Sequence, residues 1–500
     1  MPKIGARRRS LLRLGAALGV AAALAAGLTV PSTSIRPPRA RAAVNPINHI
    51  VFIQKENRSF DHYFGRFPGV NGSTTFDCYH LNDPSIVDTA SLLAAPDPMP
   101  QDVAHANSTF YKAYHDGKMD GFCHENGAIT PGGQDIADTQ FRETGIPNYW
   151  AYARTYGLGD KMFASWRGAS FANNVFAVAA QTGRYSPSLN RRAIYGNPND
   201  PTPGTATTWG CDNGEGTFVD MMNLKGGLSQ VFPCYTFDSI PKLLERHGHT
   251  WGYYSDPKDT QWVHSGIAAI RNLRCADTDT PPCTDANPEW DNHIHMGRDL
   301  VPDALSGNLP DVTWFLPKQN EHPPKSACAG ENATVEAINA IMSGPDWKHT
   351  AIVIWWDEWG GFHDHAKPPT AIGKDDGIRG INKLVSYGFR VPLLVISPWV
   401  KKGSSPAGGL APSGHGYVSS KFYSMASVAR FVEWAFGMPD INAADDLTNY
   451  VSGEPKPGNL SDFFDITDAT PQHSKLLLDQ RDCTALSPAQ RAYIATWNPD

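Results

Sequence analysis

The chain has 500 residues, of which 41% are hydrophobic and 14 are tryptophan, so it carries enough apolar side chains for a large buried core. Its 43 basic and 50 acidic residues give a formal net charge of −7, without a long run of either sign. This balance excludes the strongly basic class of nucleic-acid-binding proteins, and we expect no nucleic acid partner.

Residues 1–42 have the features of an export signal. Three arginines at positions 7–9 precede an Ala/Leu/Gly/Val stretch at residues 14–30, and residues 40–42 offer a small-x-small cleavage site. The apolar stretch is rich in Ala and Gly and only marginally long enough to span a bilayer. We therefore predict a cleaved twin-arginine signal and a secreted or cell-envelope protein, with a membrane anchor as the alternative.

The first predicted strand, residues 50–53, is apolar and breaks abruptly into charged and amide side chains, beginning with Glu56 and Asn57. Open α/β sheets place their ligand sites at the carboxyl ends of strands. Carboxylate and amide oxygens suit a hard cation better than a hydrophobic core. The alternative is a polar loop with a capping asparagine.

Residues 66–147 are rich in Pro, Asn and Asp and predict irregular chain, and two helices are predicted at residues 148–163 and 171–180. Ser170 stands directly before the second helix, where backbone N–H groups can bind an anion. It is therefore a candidate nucleophile, although an N-cap is the commoner role for such a serine. The following Gly- and Pro-rich chain predicts an insertion or cap at about residues 184–300.

Strands and helices then alternate, which predicts an α/β protein with a mostly parallel sheet and helices on both faces. The predicted elements are helices at 240–247, 331–343 and 424–436 and strands at 250–254, 311–316, 351–356 and 391–397. Residues 441–500 read as a peripheral tail. The main domain is thus expected at residues 43–440.

The strand at residues 351–356 has the same design as the first one, since Asp357 and Glu358 follow its apolar run. Two desolvated carboxylates need a cation or a basic partner. With Glu56 and Asn57 they predict a site for one divalent ion, and oxygen ligands favour Ca²⁺, Mg²⁺ or Mn²⁺ over Zn²⁺. Adjacent strand residues face opposite sides, so both members of each pair can ligate only where the chain bends.

Eight cysteines follow the export signal, and an even number in an exported chain predicts disulfide bonds. Cys275 and Cys283 flank a Pro-rich turn and are the simplest pair. The other pairings remain open.

Two motifs, ENRSFDHYFG at residues 56–65 and DEWGGFHDH at residues 357–365, resemble signatures of the bacterial phosphoesterase family. That family includes phospholipases C and acid phosphatases and has an alkaline-phosphatase-like fold. The resemblance implies a three-layer α/β/α sandwich with a mostly parallel central sheet and loop-rich insertions. It also implies that the two acidic and amide pairs together hold a metal ion.

Residues 165–174, SWRGASFANN, resemble the family pattern G-x-S/T-x-x-N, whose hydroxyl residue is the nucleophile. The resemblance assigns that role to Ser170 and a phosphate contact to Asn174 or Asn173. The segment also resembles a nucleophile elbow with its last glycine replaced. A serine esterase, however, would leave the predicted metal ligands without a role.

Three histidines are candidates for contact with the phosphate or its surroundings. His105 resembles the histidine of a family Asp-x-x-His segment, and His322 that of an Asp-His-Pro motif in which Glu321 here replaces the aspartate. We expect these two to act in catalysis, by binding phosphate or protonating the leaving oxygen. His365, next to the acidic pair, is expected to assist substrate binding.

The sequence thus predicts an exported, metal-dependent phosphate-ester hydrolase of the phospholipase C type, acting through a phosphoseryl intermediate. An acid phosphatase is the alternative within that class. A catalytically silent phosphate-binding protein is a further alternative, since Ser420 and Met425 stand near the place of a family histidine. The expected partners are a phosphate ester or phospholipid and, transiently, a membrane surface. Aromatic residues that would meet lipid if exposed are Trp209, Tyr235, Trp251 and Trp262.

Overall fold

A computed structural model describes residues 45–168, 170–183, 192–199, 210–223, 227–256, 258, 264–284, 286–369, 387–403, 416–441, 457–467 and 470–484. The predicted export signal, Trp209 and Trp262 lie outside these residues. No helix within the described ranges has the length and apolar character needed to cross a bilayer.

The strands of the described chain are β1 (His49–Lys55), β2 (Thr75–His80), β3 (Asp83–Ser91), β4 (Leu93–Ala94), β5 (Thr139–Gln140), β6 (Gly157–Gly159), β7 (Arg192–Ile194), β8 (Val219–Asn223), β9 (Leu228–Val231), β10 (Trp251–Ser255), β11 (Ile294–Met296), β12 (Val312–Leu316), β13 (Thr350–Trp356), β14 (Leu393–Ile396) and β15 (Tyr417–Ser419). The α-helices are α1 (Phe60–Phe64), α2 (Asn107–Tyr114), α3 (Pro147–Thr155), α4 (Ser170–Ala179), α5 (Ile240–Arg246), α6 (Arg271–Arg274), α7 (Trp290–His293), α8 (Leu300–Ser306), α9 (Ala327–Ser343) and α10 (Met425–Phe436).

The central sheet has eight strands in the order β11-β10-β12-β1-β13-β14-β6-β15. Neighbouring strands of this sheet are parallel, except that β14 runs antiparallel to β13 and β6. The mostly parallel sheet predicted from the sequence is therefore confirmed. β1 and β13 are direct parallel neighbours with Lys55 opposite Trp356, so the residues that follow the two strands emerge side by side.

Two adjacent residues of β1 show that helices cover both faces of the sheet. The Gln54 amide donates to Asn174 Oδ1 of α4 over 2.7 Å. The Lys55 ammonium donates to the Gly330 carbonyl and the Thr334 hydroxyl of α9, at 3.0 and 3.3 Å. Since successive strand residues face opposite sides, α4 and α9 lie on opposite faces. The fold is the expected three-layer α/β/α sandwich, with α10 packed on α4 and α8 on α9.

Several elements differ from the sequence expectation. The region at residues 66–147 contains the β2–β3 hairpin, which was not predicted because β3 is exposed along its whole length and has no buried alternation. Helix α9 begins four residues earlier than predicted, since the Ser326 hydroxyl accepts from Ala329 N and caps it. β10 and β11 lie in the central sheet, so only the remaining parts of the predicted insertion can form a cap.

The aromatic residues weighed as lipid contacts are core residues where the structure describes them. Tyr235 is fully buried and Trp251 is 2% exposed. Neither can therefore meet a lipid headgroup in this conformation.

The described part of the C-terminal segment is attached to the main domain. Leu460 and Phe463 are fully buried in the main core. A disulfide joins Cys328, in the first turn of α9, to Cys483. The Arg481 guanidinium also lies 2.8 Å from a Glu331 carboxylate oxygen.

All eight cysteines form disulfides, and the predicted Cys275–Cys283 pair is confirmed. The other pairs are Cys78–Cys123, Cys211–Cys234 and Cys328–Cys483. Four disulfides are typical of a protein that folds in or is exported to an oxidising compartment.

Removal of the Cys328–Cys483 disulfide with a double serine variant is expected to lower the free energy of unfolding by about 5 kcal/mol, because loop-closure entropy grows with loop length. The bond joins residues 155 positions apart, whereas Cys275 and Cys283 are 8 apart. The same change at the shorter loop is the control and should cost about 2.5 kcal/mol. Chemical denaturation measures both, and an equal loss in the two variants would contradict the loop-length account.

Candidate active site

The four predicted metal ligands converge at the carboxyl ends of β1 and β13. Glu56, Asn57, Asp357 and Glu358 are all fully buried. Asp357 Oδ1 accepts hydrogen bonds from the backbone N–H groups of Asn57, at 3.1 Å, and Glu358, at 2.9 Å. The two segments, about 300 residues apart in the chain, are thus joined directly at the site.

The chain bends immediately after β1 and after β13. Side chains of adjacent residues alternate along a straight strand, so these bends are what allows both members of each pair to face the same site. Asn57 has a left-handed backbone with φ of 57°. The buried Arg58 guanidinium donates to the Asn57 carbonyl at 2.7 Å and supports this turn. Gly360, with φ of 66°, approaches so closely that a Cβ there would lie 2.4 Å from the Asn57 carbonyl oxygen. The two bends bring both members of each pair to the same place.

The Asn57 side-chain amide lies between the carboxylates and two imidazoles. One end of the amide lies 3.2 Å from His105 Nε2 and 2.9 Å from His322 Nε2. The other end lies 3.0 Å from Glu358 Oε1, 3.0 Å from Asp357 Oδ1 and 3.2 Å from Glu56 Oε2. One oxygen from each of the three carboxylates therefore lies 3.0 to 3.2 Å from the same amide atom of Asn57.

The electrostatics of this cluster call for a cation. Burial raises the pKa of Glu56 to about 8. Burial, reinforced by neighbouring carboxylates, also raises the pKa values of Asp357 and Glu358 well above their usual range. Asp357 Oδ2 is buried and has no hydrogen-bond partner among the described residues. Clustered, desolvated oxygen donors of this kind fit a divalent metal ion.

His264 belongs to the site and was missed by sequence reasoning. Its Nδ1 lies 2.8 Å from Glu56 Oε1, and donor atoms of His264, Glu56 and Asp357 all lie within 4.8 Å of one another. Burial lowers the pKa of His264 to about 4, which keeps the imidazole neutral and able to ligate. The predicted preference for Ca²⁺, Mg²⁺ or Mn²⁺ over Zn²⁺ assumed that all ligands are oxygen atoms. With a histidine nitrogen among the candidate ligands, that preference no longer follows. The only signal in the sequence was a histidine nine residues beyond the end of β10.

Ser170 is the first residue of α4 and is 3% exposed. Its hydroxyl lies close enough to Asp357 to oppose the rise in the pKa of that carboxyl group, which places Ser170 beside the predicted metal ligands. Gly168 permits this placement, because a Cβ there would lie 2.6 Å from the His105 carbonyl oxygen. The loop before α4 is thereby pressed against the loop that carries His105.

The two asparagines that follow Ser170 have different partners in the structure. Asn173 is used within the fold, since its Oδ1 accepts from Trp166 N at 2.8 Å. Asn174 is held by Gln54, whose side chain also lies beside Glu56. Asn174 is therefore the better placed of the two for the predicted phosphate contact, which stays a prediction.

His105 and His322 lie together at the outer side of Asn57, with ring centroids 5.6 Å apart. Each ring is fixed through Nδ1, to the Val103 carbonyl at 2.6 Å for His105 and to the Pro323 carbonyl at 2.7 Å for His322. Burial lowers the pKa of His322 to about 4.

Glu321 lies on the other side of β1, away from the cluster. Its carboxylate is 3.0 Å from the Lys55 ammonium, and both side chains are fully buried. The hydroxyls of Tyr63 and Tyr149 also donate to it, at 2.8 and 2.5 Å. The acidic residue of this motif therefore has a structural partner rather than a place among the predicted ligands.

His365 contacts a separate buried network. Its Nδ1 lies 2.5 Å from Asp61 Oδ2, and the Arg390 guanidinium lies 3.1 Å from the other Asp61 oxygen. The imidazole is partly exposed. Its expected contribution to substrate binding stays a prediction.

Comparison with known proteins finds relatives along most of the chain. Non-hemolytic phospholipase C of Pseudomonas aeruginosa is 27% identical over 483 residues, covering 88% of this chain and 61% of that protein. Non-specific phospholipase C1 of Arabidopsis thaliana is 27% identical over 391 residues, covering 72% of this chain and 62% of that protein. The chain thus spans about three fifths of the length of these relatives.

Among solved structures, a protein of the alkaline phosphatase superfamily from Vibrio parahaemolyticus aligns with a TM-score of 0.29 and 10% identity, covering 63% of this chain and 64% of that one. The fold assignment rests on the sheet topology described above. The sequence model of the Phosphoesterase family matches residues 47–439. The match spans both strand-end motifs, the Ser170 segment and all four predicted metal ligands. The chain belongs to the Phosphoesterase family.

Proposed function

We propose that the protein is a metal-dependent hydrolase of phosphate esters, of the phospholipase C type, with Ser170 as its nucleophile. The supporting observation is the position of Ser170, which is the first residue of α4 and lies beside Asp357 in the cluster of buried oxygen donors. Glu56, Asn57, Asp357 and Glu358 would hold the ion. His264 is a further candidate ligand because it contacts Glu56.

A bound divalent ion would lower the pKa of the serine hydroxyl and offset negative charge on the phosphoryl oxygens. Ser170 Oγ attacks phosphorus in line with the leaving oxygen, and the Oγ–P bond forms as the P–O bond to the leaving alcohol breaks. The serine loses its proton and the alcohol gains one, which leaves a phosphoseryl intermediate that still carries the headgroup when the substrate is a phosphodiester lipid. Helix α4 begins at the nucleophile, so its positive N-terminal end would lie beside the phosphoryl group, although the Phe171 N–H of the first turn already donates to Asn197 Oδ1 at 3.1 Å. Asn174, held beside Glu56 by Gln54, is placed to bind the same group. Water then cleaves the Oγ–P bond, which restores the serine hydroxyl and releases the phosphorylated headgroup, or inorganic phosphate when the substrate is a monoester.

This assignment explains more of the site than a serine esterase does. An esterase needs an imidazole within reach of the nucleophile to take its proton. The group that lies beside the Ser170 hydroxyl is instead the Asp357 carboxylate. An esterase would also leave three desolvated carboxylates next to the nucleophile without a function.

The relatives named phospholipase C favour a phosphodiester lipid over a phosphomonoester as substrate, with acid phosphatase activity as the alternative. The predicted signal at residues 1–42 and the four disulfides support export, and we propose the twin-arginine route. A lipid substrate would require transient contact with a membrane surface.

Metal analysis of the purified protein tests the proposal. We expect close to one divalent ion per chain, and we expect exhaustive chelation to lower hydrolysis of phosphatidylcholine vesicles by 100-fold or more. Adding Ca²⁺, Mg²⁺, Mn²⁺ or Zn²⁺ separately to the stripped protein identifies the ion that restores activity. p-Nitrophenyl phosphate assayed in parallel distinguishes a monoesterase from a diesterase.

Asp357→Asn is the matched variant, because it keeps the size of the side chain but removes one ligand charge. It should lose both the ion and the activity. Full activity of the metal-free wild type would contradict the proposal. A protein that binds phosphate and metal but hydrolyses neither substrate would instead be a silent binding protein.

A further inference from the structure

We infer that His105 and His322 are positioning residues, which hold the Asn57 side chain so that its amide oxygen faces the metal ion. This role presupposes the proposed function, because it concerns the ion held there. It replaces the direct contact with phosphate that the sequence resemblance implies for the two histidines. The geometry that supports it is the pair of imidazoles on one side of Asn57 and the carboxylates on the other.

The hydrogen bonds of the two imidazoles fix which nitrogen carries the proton. Nδ1 of His105 is 2.6 Å from the Val103 carbonyl oxygen, and Nδ1 of His322 is 2.7 Å from the Pro323 carbonyl oxygen. A carbonyl oxygen can only accept, so in each neutral ring Nδ1 donates. Nε2 of each ring then has an unprotonated lone pair that can only accept.

Both Nε2 lone pairs face the same end of the Asn57 amide, at 3.2 Å for His105 and 2.9 Å for His322. An amide NH₂ has two hydrogens, one for each imidazole, whereas an amide oxygen would repel both lone pairs. The imidazoles therefore select the orientation in which Asn57 Nδ2 faces them. The amide oxygen is then directed to the opposite side.

On that opposite side, the Asn57 oxygen lies 3.0 to 3.2 Å from single oxygens of Glu56, Asp357 and Glu358. The reversed amide would donate hydrogen bonds to these carboxylates and relieve their repulsion without any cation. Neutral imidazoles whose Nδ1 atoms donate to backbone carbonyls oppose this alternative, and the site then keeps a neutral oxygen ligand for the ion. Partners that orient a metal ligand in this way typically change metal affinity 10- to 100-fold when they are replaced.

The test is the affinity of the metal-free protein for Mn²⁺ alone, measured by competition with a chelating dye. His105→Phe and His322→Phe remove the acceptor and should each raise the Kd for Mn²⁺ by 10- to 100-fold. His322→Gln places an amide oxygen that can accept from Asn57, and it should recover a Kd within about threefold of the wild type. Two separate Phe variants keep the test valid if one of them does not fold.

His293→Phe is the matched control. This histidine also donates from Nδ1 to a backbone carbonyl, that of Trp251 at 2.9 Å, but lies at the opposite end of β10 from the site. Its replacement should leave the Kd for Mn²⁺ unchanged.

Three results separate the alternatives. Phe variants that bind Mn²⁺ as tightly as the wild type, with a raised KM, would overturn the positioning role and support direct substrate contact. Two ions in the wild type and one in the Phe variants would also overturn it, by placing a second ion on Asp102, His105 and His322, whose donor atoms lie close together. A wild type without affinity for any of the tested ions would refute the proposed metal-dependent function itself.

Discussion

Ser170→Ala is expected to lower kcat by about 10³-fold or more, because loss of a catalytic nucleophile leaves only the binding and electrostatic contributions of the site. The metal content should remain that of the wild type, since Glu56, Asp357 and Glu358 are untouched. In the wild type, rapid quenching during turnover followed by mass spectrometry should detect a Ser170 peptide that carries phosphocholine from phosphatidylcholine, or phosphate from p-nitrophenyl phosphate. The variant should give no such peptide.

Ser165→Ala is the control for this change. Ser165 is an equally buried serine five residues earlier, and its hydroxyl accepts from Met425 N at the start of α10. Its loss should cost about 1 kcal/mol of stability with little change in kcat. If Ser170→Ala hydrolyses phosphatidylcholine and p-nitrophenyl phosphate at wild-type rates, Ser170 is only the first residue of a helix.

Lys55→Met is expected to lower the free energy of unfolding by about 3–5 kcal/mol, which is the usual cost of removing one partner from a buried ion pair. Lys55 and Glu321 are both fully buried with 3.0 Å between the charged atoms. Lys55 also donates to the carbonyls of Gln319 and Gly330, each at 3.0 Å. The variant leaves these acceptors and the Glu321 charge without their cation. Urea denaturation measures the loss.

The double variant Lys55→Met/Glu321→Gln is the control, because it also removes the Glu321 charge, which the single change leaves buried without a cation. It should recover part of the loss, with the tyrosine hydroxyls of Tyr63 and Tyr149 still bonded to the residue at position 321. A single variant within 1 kcal/mol of the wild type would show that the pair contributes little to the net stability of the fold.

The main features of the site could be read from the sequence because they are local. An apolar strand that ends in Glu56 and Asn57, and another that ends in Asp357 and Glu358, place oxygen donors at the carboxyl edge of any parallel sheet. The direct pairing of β1 with β13 then brings the four together. The bends at Asn57 and Gly360 were required by the chemistry, although the sequence alone did not establish them.

Other features depend on contacts between distant residues and carry no local signal. His264 lies nine residues beyond the end of β10 in the sequence, and only the folded chain places it at Glu56. Glu321 looks like a variant of a site residue in sequence, but the structure pairs it with Lys55 on the other face of β1. The strands β6, β11 and β15 have three residues each, too few to show periodicity. The orientation of Asn57 depends on two imidazoles from different loops.

The pairing of β1 with β13 also has a consequence for biosynthesis. Glu56 and Asn57 leave the ribosome about 300 residues before Asp357 and Glu358. At a synthesis rate of roughly 5–20 residues per second, the first half of the binding cluster waits about 15–60 s for the second. A cation held by this cluster would therefore enter late, after most of the polypeptide exists, and the compartment in which folding finishes would decide which ion is available to it.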